Sequence, residues 1–391
     1  MSLPPPSADA LEHQQQLLKY LRTTCEQAGG WISFADFMDI ALYAPGLGYY
    51  SAGMNKFGIS GDFVTAPEIS PLFSQCMGAQ CAQVLSHLNA NEMNILELGA
   101  GSGKMASIIL PYLAEQNCLP KHYWILEVSA DLKARQQQYL NEHCQPFFDK
   151  FVWLERLPEK PFEGIIIGNE VLDAMPVHLF QIGNNHQILE GFVGEANGTW
   201  QLAYREPKTP HLKEAVENLH VDFSPGYTSE INLSLNPLVE ALSQSLEKGI
   251  ILFLDYGFPR HEYYHPSRHM GTLTCHYRHH VISDPLQYIG LQDITAHVDF
   301  TAVALAGQSC GLDLVGFTHQ AAFLIGNDLL KFAEAAAHQT SYAISQQIQY
   351  LTAPHEMGEL FKAIALSKRF EELVRKEPLK GFQMFDQRQR L

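Results

Sequence analysis

Asn94 to Gly103 reads NILELGAGSG, an apolar run that passes without a break into glycines at every second position. The apolar part predicts a short strand, and the glycines let the chain turn sharply while its backbone approaches a ligand. Three patterns compete for this loop. A dinucleotide fingerprint, G-x-G-x-x-G counted from Gly99, needs glycine where Lys104 stands. A phosphate-binding loop aligned on Gly103-Lys104 needs glycine at Leu98 and serine or threonine at Met105. Both fail at positions that carry their mechanism. The pattern that fits is acid-x-G-x-G-x-G, on Glu97, Gly99, Gly101 and Gly103, with Ala100 inside the turn. A carboxylate beside such a loop suits a cation better than a phosphate.

Outward from the loop, apolar runs alternate with helical stretches. YWILEV (123–128), KFVWLE (150–155), GIIIGN (164–169) and IILFLDY (250–256) join NILELG (94–99) as predicted strands. Runs this apolar are buried on both faces, which predicts an α/β fold with a mostly parallel sheet and helices on each side. Glu127 ends the second run, where an acid could accept the two hydroxyls of a ribose. FQIGNNHQILEGFVGEANGTWQLAY (180–204) alternates and carries turn dipeptides, predicting antiparallel hairpins inserted at about 178–226. Helices are predicted over 9–28, over 33–42 with Ser33 as cap, over 71–87, through NPLVEALSQSLEKG (236–249) and over DFTAVALAGQSCG (299–311). DLVGFTHQAAFLIG (313–326) reads as two strands or one bent one, and the chain from 327 as mostly helical. The domain reading is a disordered tail at 1–8 and a helical and loop cap over the active site at 9–90. A catalytic domain at 91–326 and a C-terminal helical segment at 327–391 complete it.

The 391 residues suffice for a large core, and 46% apolar against 17% charged residues is a globular composition. The net charge of −16 repels phosphate backbones and anionic lipid, so nucleic acid is excluded as substrate and a basic protein segment favoured. Seven scattered cysteines without a CxxC pair read as reduced thiols. MSLPPPSADA (1–10) lacks the marks of a signal or transit peptide, and no apolar run reaches membrane-spanning length. A cytoplasmic protein without membrane insertion is expected.

The glycine loop resembles the first motif of the class I S-adenosylmethionine-dependent methyltransferases. Further segments follow in order: ALYAPGLGYYS (41–51), GDFVTAPEISPLF (61–73), LEVS (126–129), GNEVLDAMPV (168–177), LDYGF (254–258), GTLTCHYRHH (271–280), IGLQDITAHVDFTAVA (289–304) and MGELFKAIALSK (357–368). Together they are similar to the MidA family, whose mitochondrial members are arginine methyltransferases that assist assembly of respiratory complex I. The resemblance spans about residues 33–370. It implies a class I, Rossmann-like fold with a seven-stranded sheet, S-adenosylmethionine as donor, and a protein arginine as acceptor, in a respiratory-complex subunit for the mitochondrial members. It places Glu97, Gly99, Ala100, Gly101 and Gly103 against the cofactor, with Glu127 on its ribose. The family's Asn-Glu-x-x-Asp-Ala segment stands here as Asn169, Glu170, Asp173 and Ala174. The mitochondrial members carry a targeting presequence and this chain shows none, so it looks like a bacterial relative. A homodimer is a further expectation.

The acceptor chemistry follows from the guanidinium. It stays protonated near neutral pH, and a fixed pair of carboxylates can grip its fork and help pass on the released proton. Glu170 and Asp173, after the fourth strand, are the leading candidates, with Asn169 before them. The structural alternative is that Asn169 caps a helix whose first turn holds the two acids. Asp62 and Glu68 are weaker candidates for a closing lid, and Asp255 and Tyr256 weaker still. HEYYH (261–265) matches the zinc signature H-E-x-x-H, but Pro259 and Pro266 bracket it too tightly for the helix that chemistry needs, so no metal is expected. CHYRHH (275–280) lacks a second ligand cluster, although His276 or Arg278 could shape an acceptor pocket. Two other functions stay open: a non-catalytic assembly factor on the same scaffold, and a small-molecule methyltransferase.

Overall fold

A computed structural model describes residues 3–51, 65–90, 92–336 and 341–391. Asp62 lies outside them. The chain forms two compact units, each assembled from three stretches of sequence. The larger comprises 64–172, 236–259 and 298–391, the smaller 1–63, 173–235 and 260–297.

The larger unit is built on a sheet whose strands we label β1 (Asn94–Leu98), β2 (Tyr123–Leu126), β3 (Phe151–Leu154), β4 (Phe162–Asn169), β5 (Leu246–Phe258), β6 (Asp313–His319) and β7 (Phe361–Lys368). Their order is β6-β7-β5-β4-β1-β2-β3, and the short Val298–Asp299 strand pairs with the end of β5. β5, β4, β1, β2 and β3 run parallel, and β7 is antiparallel to both its neighbours. All five strands predicted from the apolar runs are present. Both faces are covered. Ile95, Ile165, Ile167 and Ala365 join the core that includes Leu72 and Cys76 of the Pro71–Leu85 helix. Leu366 lies so close to Gly307 of the Phe300–Ser309 helix that an added Cβ would come within 2.9 Å of it.

Three expectations are corrected or extended in this unit. Asp313–Gly326 is strand β6 and then a helix over Gln320–Gly326, not a second strand; the His319 ring caps it by accepting from the Ala322 amide. The C-terminal stretch is mostly helical, but it also holds a strand that was not expected, β7, buried on both faces between β5 and β6. A short apolar run carries too little periodicity to separate such a strand from a buried helix. Finally, the expected cap of 9–90 divides: residues from 64 onward belong with the sheet.

The smaller unit holds an antiparallel sheet ordered Trp31–Ser33, Ile188–Ala196, His178–Ile182, Thr228–Ile231, with Thr199–Arg205 paired to Ile188–Ala196. The predicted hairpins are therefore present, but their sheet runs on to Ile231 and recruits a strand from the N-terminal region. A second sheet of Thr274–Tyr277, His280–Ile282 and Asp293–Thr295 belongs here too, not with the catalytic sheet. Helices Ala8–Gln27 and Phe34–Tyr43 supply Leu17, Leu21, Phe34 and Phe37 to its core. Ser7 and Ser33 cap them as hydroxyl acceptors. Leu3 packs against this core and Ser7 is a cap, so residues 3–8 are placed and do not form the loose tail expected for 1–8.

Candidate active site

The strand order reverses between β1 and β4, where open α/β sheets bind their ligands at the carboxyl ends. The registers Leu98↔Gly168, Leu98↔Leu126 and Asn169↔Leu254 put the turns after β1, β2, β4 and β5 on one rim.

After β1 the backbone enters the left-handed region at Gly99, Gly101 and Gly103, with φ of 61°, 55° and 85°. A Cβ there costs about 1–2 kcal/mol per residue, so the alternating glycines are a backbone requirement. Gly103 precedes the Lys104–Glu115 helix and donates its amide to the Ala100 carbonyl at 2.8 Å. A Cβ on Gly101 would meet nothing within 4 Å among the described residues, so the turn opens outward from them at that residue. Glu68 holds it from one side: Ser102 Oγ donates to its carboxylate, and Lys104 Nζ lies 3.1 Å from its carbonyl and 3.5 Å from Oε2. Instead of a lid, Glu68 is an anchor of the glycine turn, and it neutralises the lysine that opens the helix.

Glu127, after β2, is buried. Its Oε1 accepts from the Ser129 amide at 2.9 Å and its Oε2 from Gln136 Nε2 at 2.9 Å. A carboxylate offers about four acceptor positions, and these two bonds, one on each oxygen, orient the group. Glu97 has its side chain in the core, accepting from Tyr123 Oη at 2.8 Å. Burial pushes its carboxyl up to about 7; the Tyr123 hydrogen bond opposes the shift and the Glu127 charge adds to it.

At the end of β4, Asn169 Nδ2 donates to Glu170 Oε1 at 3.2 Å, while its buried Oδ1 meets no donor among the described residues. Glu170 has φ of 53°, left-handed without being glycine, and its amide donates to the Leu254 carbonyl at 2.9 Å. Asp255, fully buried, takes the Val171 and Leu172 amides on Oδ2 at 3.1 and 2.9 Å and the Tyr256 amide on Oδ1. No regular helix begins here, so the capped-helix alternative for Asn169, Glu170 and Asp173 does not apply. Val171 Cγ2 lies 3.7 Å from where a Cβ of Gly99 would be, so this turn abuts the glycine loop. The boundary between the units falls after Leu172. Within the smaller unit Asp173 is buried, and its carbonyl accepts from the Ala296 amide at 3.0 Å. The next residue, Ala174, accepts from Tyr43 Oη at 2.9 Å.

Residues 76–318, more than half the chain, match the family described as "Putative S-adenosyl-L-methionine-dependent methyltransferase". The chain belongs to the MidA family of S-adenosylmethionine-dependent methyltransferases. It is 28% identical to the protein arginine methyltransferase NDUFAF7 homolog, mitochondrial, of Drosophila melanogaster, over 93% of this chain and 87% of that one. The human protein arginine methyltransferase NDUFAF7, mitochondrial, is 26% identical over 90% and 83%. A crystal structure from Burkholderia thailandensis, bound to S-adenosyl-homocysteine, covers the whole of both chains at 39% identity with a TM-score of 0.92.

The rim of this MidA-family enzyme fits its cofactor, S-adenosylmethionine. The turn is open at Gly101, acids stand behind it and beside it, and Lys104, which would suit a phosphate, is engaged by Glu68. Two other motifs have structural places. The helix at HEYYH covers only Arg260–Tyr263, and His265 caps the next turn by accepting from the Ser267 amide. Among the described residues no group of three histidine, cysteine or acidic side chains is placed to hold a metal ion. In CHYRHH, Cys275 is buried in its strand, and Arg278 and His279 form the left-handed turn of a hairpin, with φ of 47° and 62°. Sequence reasoning missed Gln136 and the anchoring parts of Glu68 and Asp255, because each depends on partners distant in the chain. The one local signal was negative: glutamine on an otherwise apolar face of the Ala130–His143 helix.

Proposed function

We propose that this enzyme is a protein arginine N-methyltransferase. Gly99, Ala100, Gly101 and Gly103 lie against the cofactor, Glu127 takes its ribose hydroxyls, and Glu97 places a carboxylate behind its cationic end. The bound cofactor supplies a methyl group on a positively charged sulfur. Glu170 grips the acceptor guanidinium through charge-assisted hydrogen bonds and accepts the proton released as the new N–C bond forms. Asn169 orients the Glu170 carboxylate. Asp173, three residues on, is assigned the second carboxylate from its place in the segment.

The observation that carries this reading is the backbone of Glu170. A non-glycine residue held left-handed costs on the order of 1–3 kcal/mol and persists only where its surroundings over-determine it. Here Leu254 and Asp255 do so, at the sheet's switch point. The names of the relatives add support for arginine as acceptor. The test is transfer of labelled methyl from S-adenosylmethionine into lysate of cells lacking the protein. Label in protein, released by acid hydrolysis as methylarginine, is expected. Label confined to small molecules, or to another amino acid, overturns the proposal.

A further inference from the structure

Gln136 is fully buried in the helix Ala130–His143, and every polar atom of its side chain is used. Nε2 donates to the Gly101 carbonyl at 3.0 Å and to Glu127 Oε2 at 2.9 Å, while Oε1 accepts from Trp153 Nε1 at 3.0 Å. The network admits one orientation of the amide. A carbonyl and a carboxylate both need a donor, and an indole N–H needs an acceptor. One side chain thus joins the outward-opening glycine of the β1 turn, the acid after β2, and a strand of the sheet beyond.

We infer that Gln136 is a positioning residue for the cofactor, which locks the Glu127 carboxylate and the Gly101 turn into one preset unit. The inference rests on the reading of Glu127 as the ribose acceptor. A lone carboxylate on a strand end samples several rotamers. One held by the Ser129 amide on one oxygen and by Gln136 on the other has its plane and direction fixed. The bond to the Gly101 carbonyl does the same for the glycine turn. Glutamine suits this place and glutamate does not. An ionised carboxylate at 136 would face the Glu127 carboxylate and the Gly101 carbonyl with no hydrogen to offer, and like charges so placed raise each other's pKa.

The test uses the full chain and three variants, with calorimetric binding of S-adenosylhomocysteine and of its 2′-deoxy analogue, and turnover at saturating S-adenosylmethionine. Gln136→Leu is expected to weaken S-adenosylhomocysteine at least about tenfold and to narrow the preference for it over the deoxy analogue, with saturated turnover within about threefold. Gln136→Glu is expected to bind poorly at pH 8 and to recover toward pH 5.5, where a shared proton restores a donor; the native protein shows no such recovery. Should Gln136→Leu fail to fold, Gln136→Glu alone decides. Glu127→Gln separates the two readings. If it leaves affinity and hydroxyl preference unchanged, the ribose assignment falls. If it abolishes the preference while both Gln136 variants bind like the native protein, only the role of Gln136 is overturned. A loss of turnover at unchanged affinity in the Gln136 variants also overturns it.

Discussion

A methyl group added at Gly101 would meet no atom of the described residues within 4 Å, and its cost to folding is that of the left-handed backbone, about 1–2 kcal/mol. That methyl would stand where the turn opens to its ligand. Gly101→Ala is therefore expected to lower the melting temperature slightly while weakening S-adenosylmethionine at least about a hundredfold, read by melting and calorimetry on one sample. Glu97 supplies a prediction of another kind. Its carboxyl titrates at about 7 in the fold and near 4.5 in the unfolded chain. The folded state thus binds the proton more tightly: the contribution is fully present below about pH 4.5 and is lost as pH rises through 7. Glu97→Gln is expected to remove that slope. The stability of the variant relative to the native protein should rise by up to about 3 kcal/mol between pH 4.5 and 8 in denaturant melts. The turn after β1 was legible in the sequence, because a left-handed backbone favours glycine and Gly99, Gly101 and Gly103 alternate there. Gln136 was legible only as a glutamine between Leu132 and Leu140 on one helix face, a pattern that names none of its three distant partners.

Among elements, the turn after β4 links stability to chemistry. Asp255 gathers three backbone amides, and without it the Val171 and Leu172 donors would lose their acceptor. Asp255→Ala is expected to cost about 2–4 kcal/mol and to cut turnover at least about thirtyfold, with cofactor affinity within about threefold. Glu170→Gln leaves the turn intact and should keep both stability and cofactor affinity near native, yet reduce methyl transfer at least about a hundredfold. Unchanged turnover would remove Glu170 from the chemistry. The strands of this rim could be read ahead of the structure, because apolar runs before glycine or acidic residues mark buried parallel strands. β7 escaped: FKAIALSK is buried on both faces, but its two lysines, serine and two alanines keep it from standing out as the apolar run that marked the other strands.

For the whole molecule, charge is the property that acts at a distance. With a net charge of −16, the enzyme attracts basic segments through a field that salt screens within about 10 Å at 0.1 M. Raising ionic strength from 50 to 300 mM is expected to raise KM for an arginine-rich peptide several-fold while saturated turnover stays within about twofold; an unchanged KM would count against a basic acceptor. The partition into two units was not legible, because each is woven from three separated stretches and the joints at 172 and 259 carry no linker composition. The strand order has a consequence for synthesis. β7 is the last of the seven to be translated, yet it lies between β5 and β6. Until residue 368 leaves the ribosome, the thirteen-residue β5 presents an unpaired hydrogen-bonding edge to every other nascent chain. A message cut short before the codon for Phe361 would therefore yield not a trimmed enzyme but a sticky fragment for chaperones to clear.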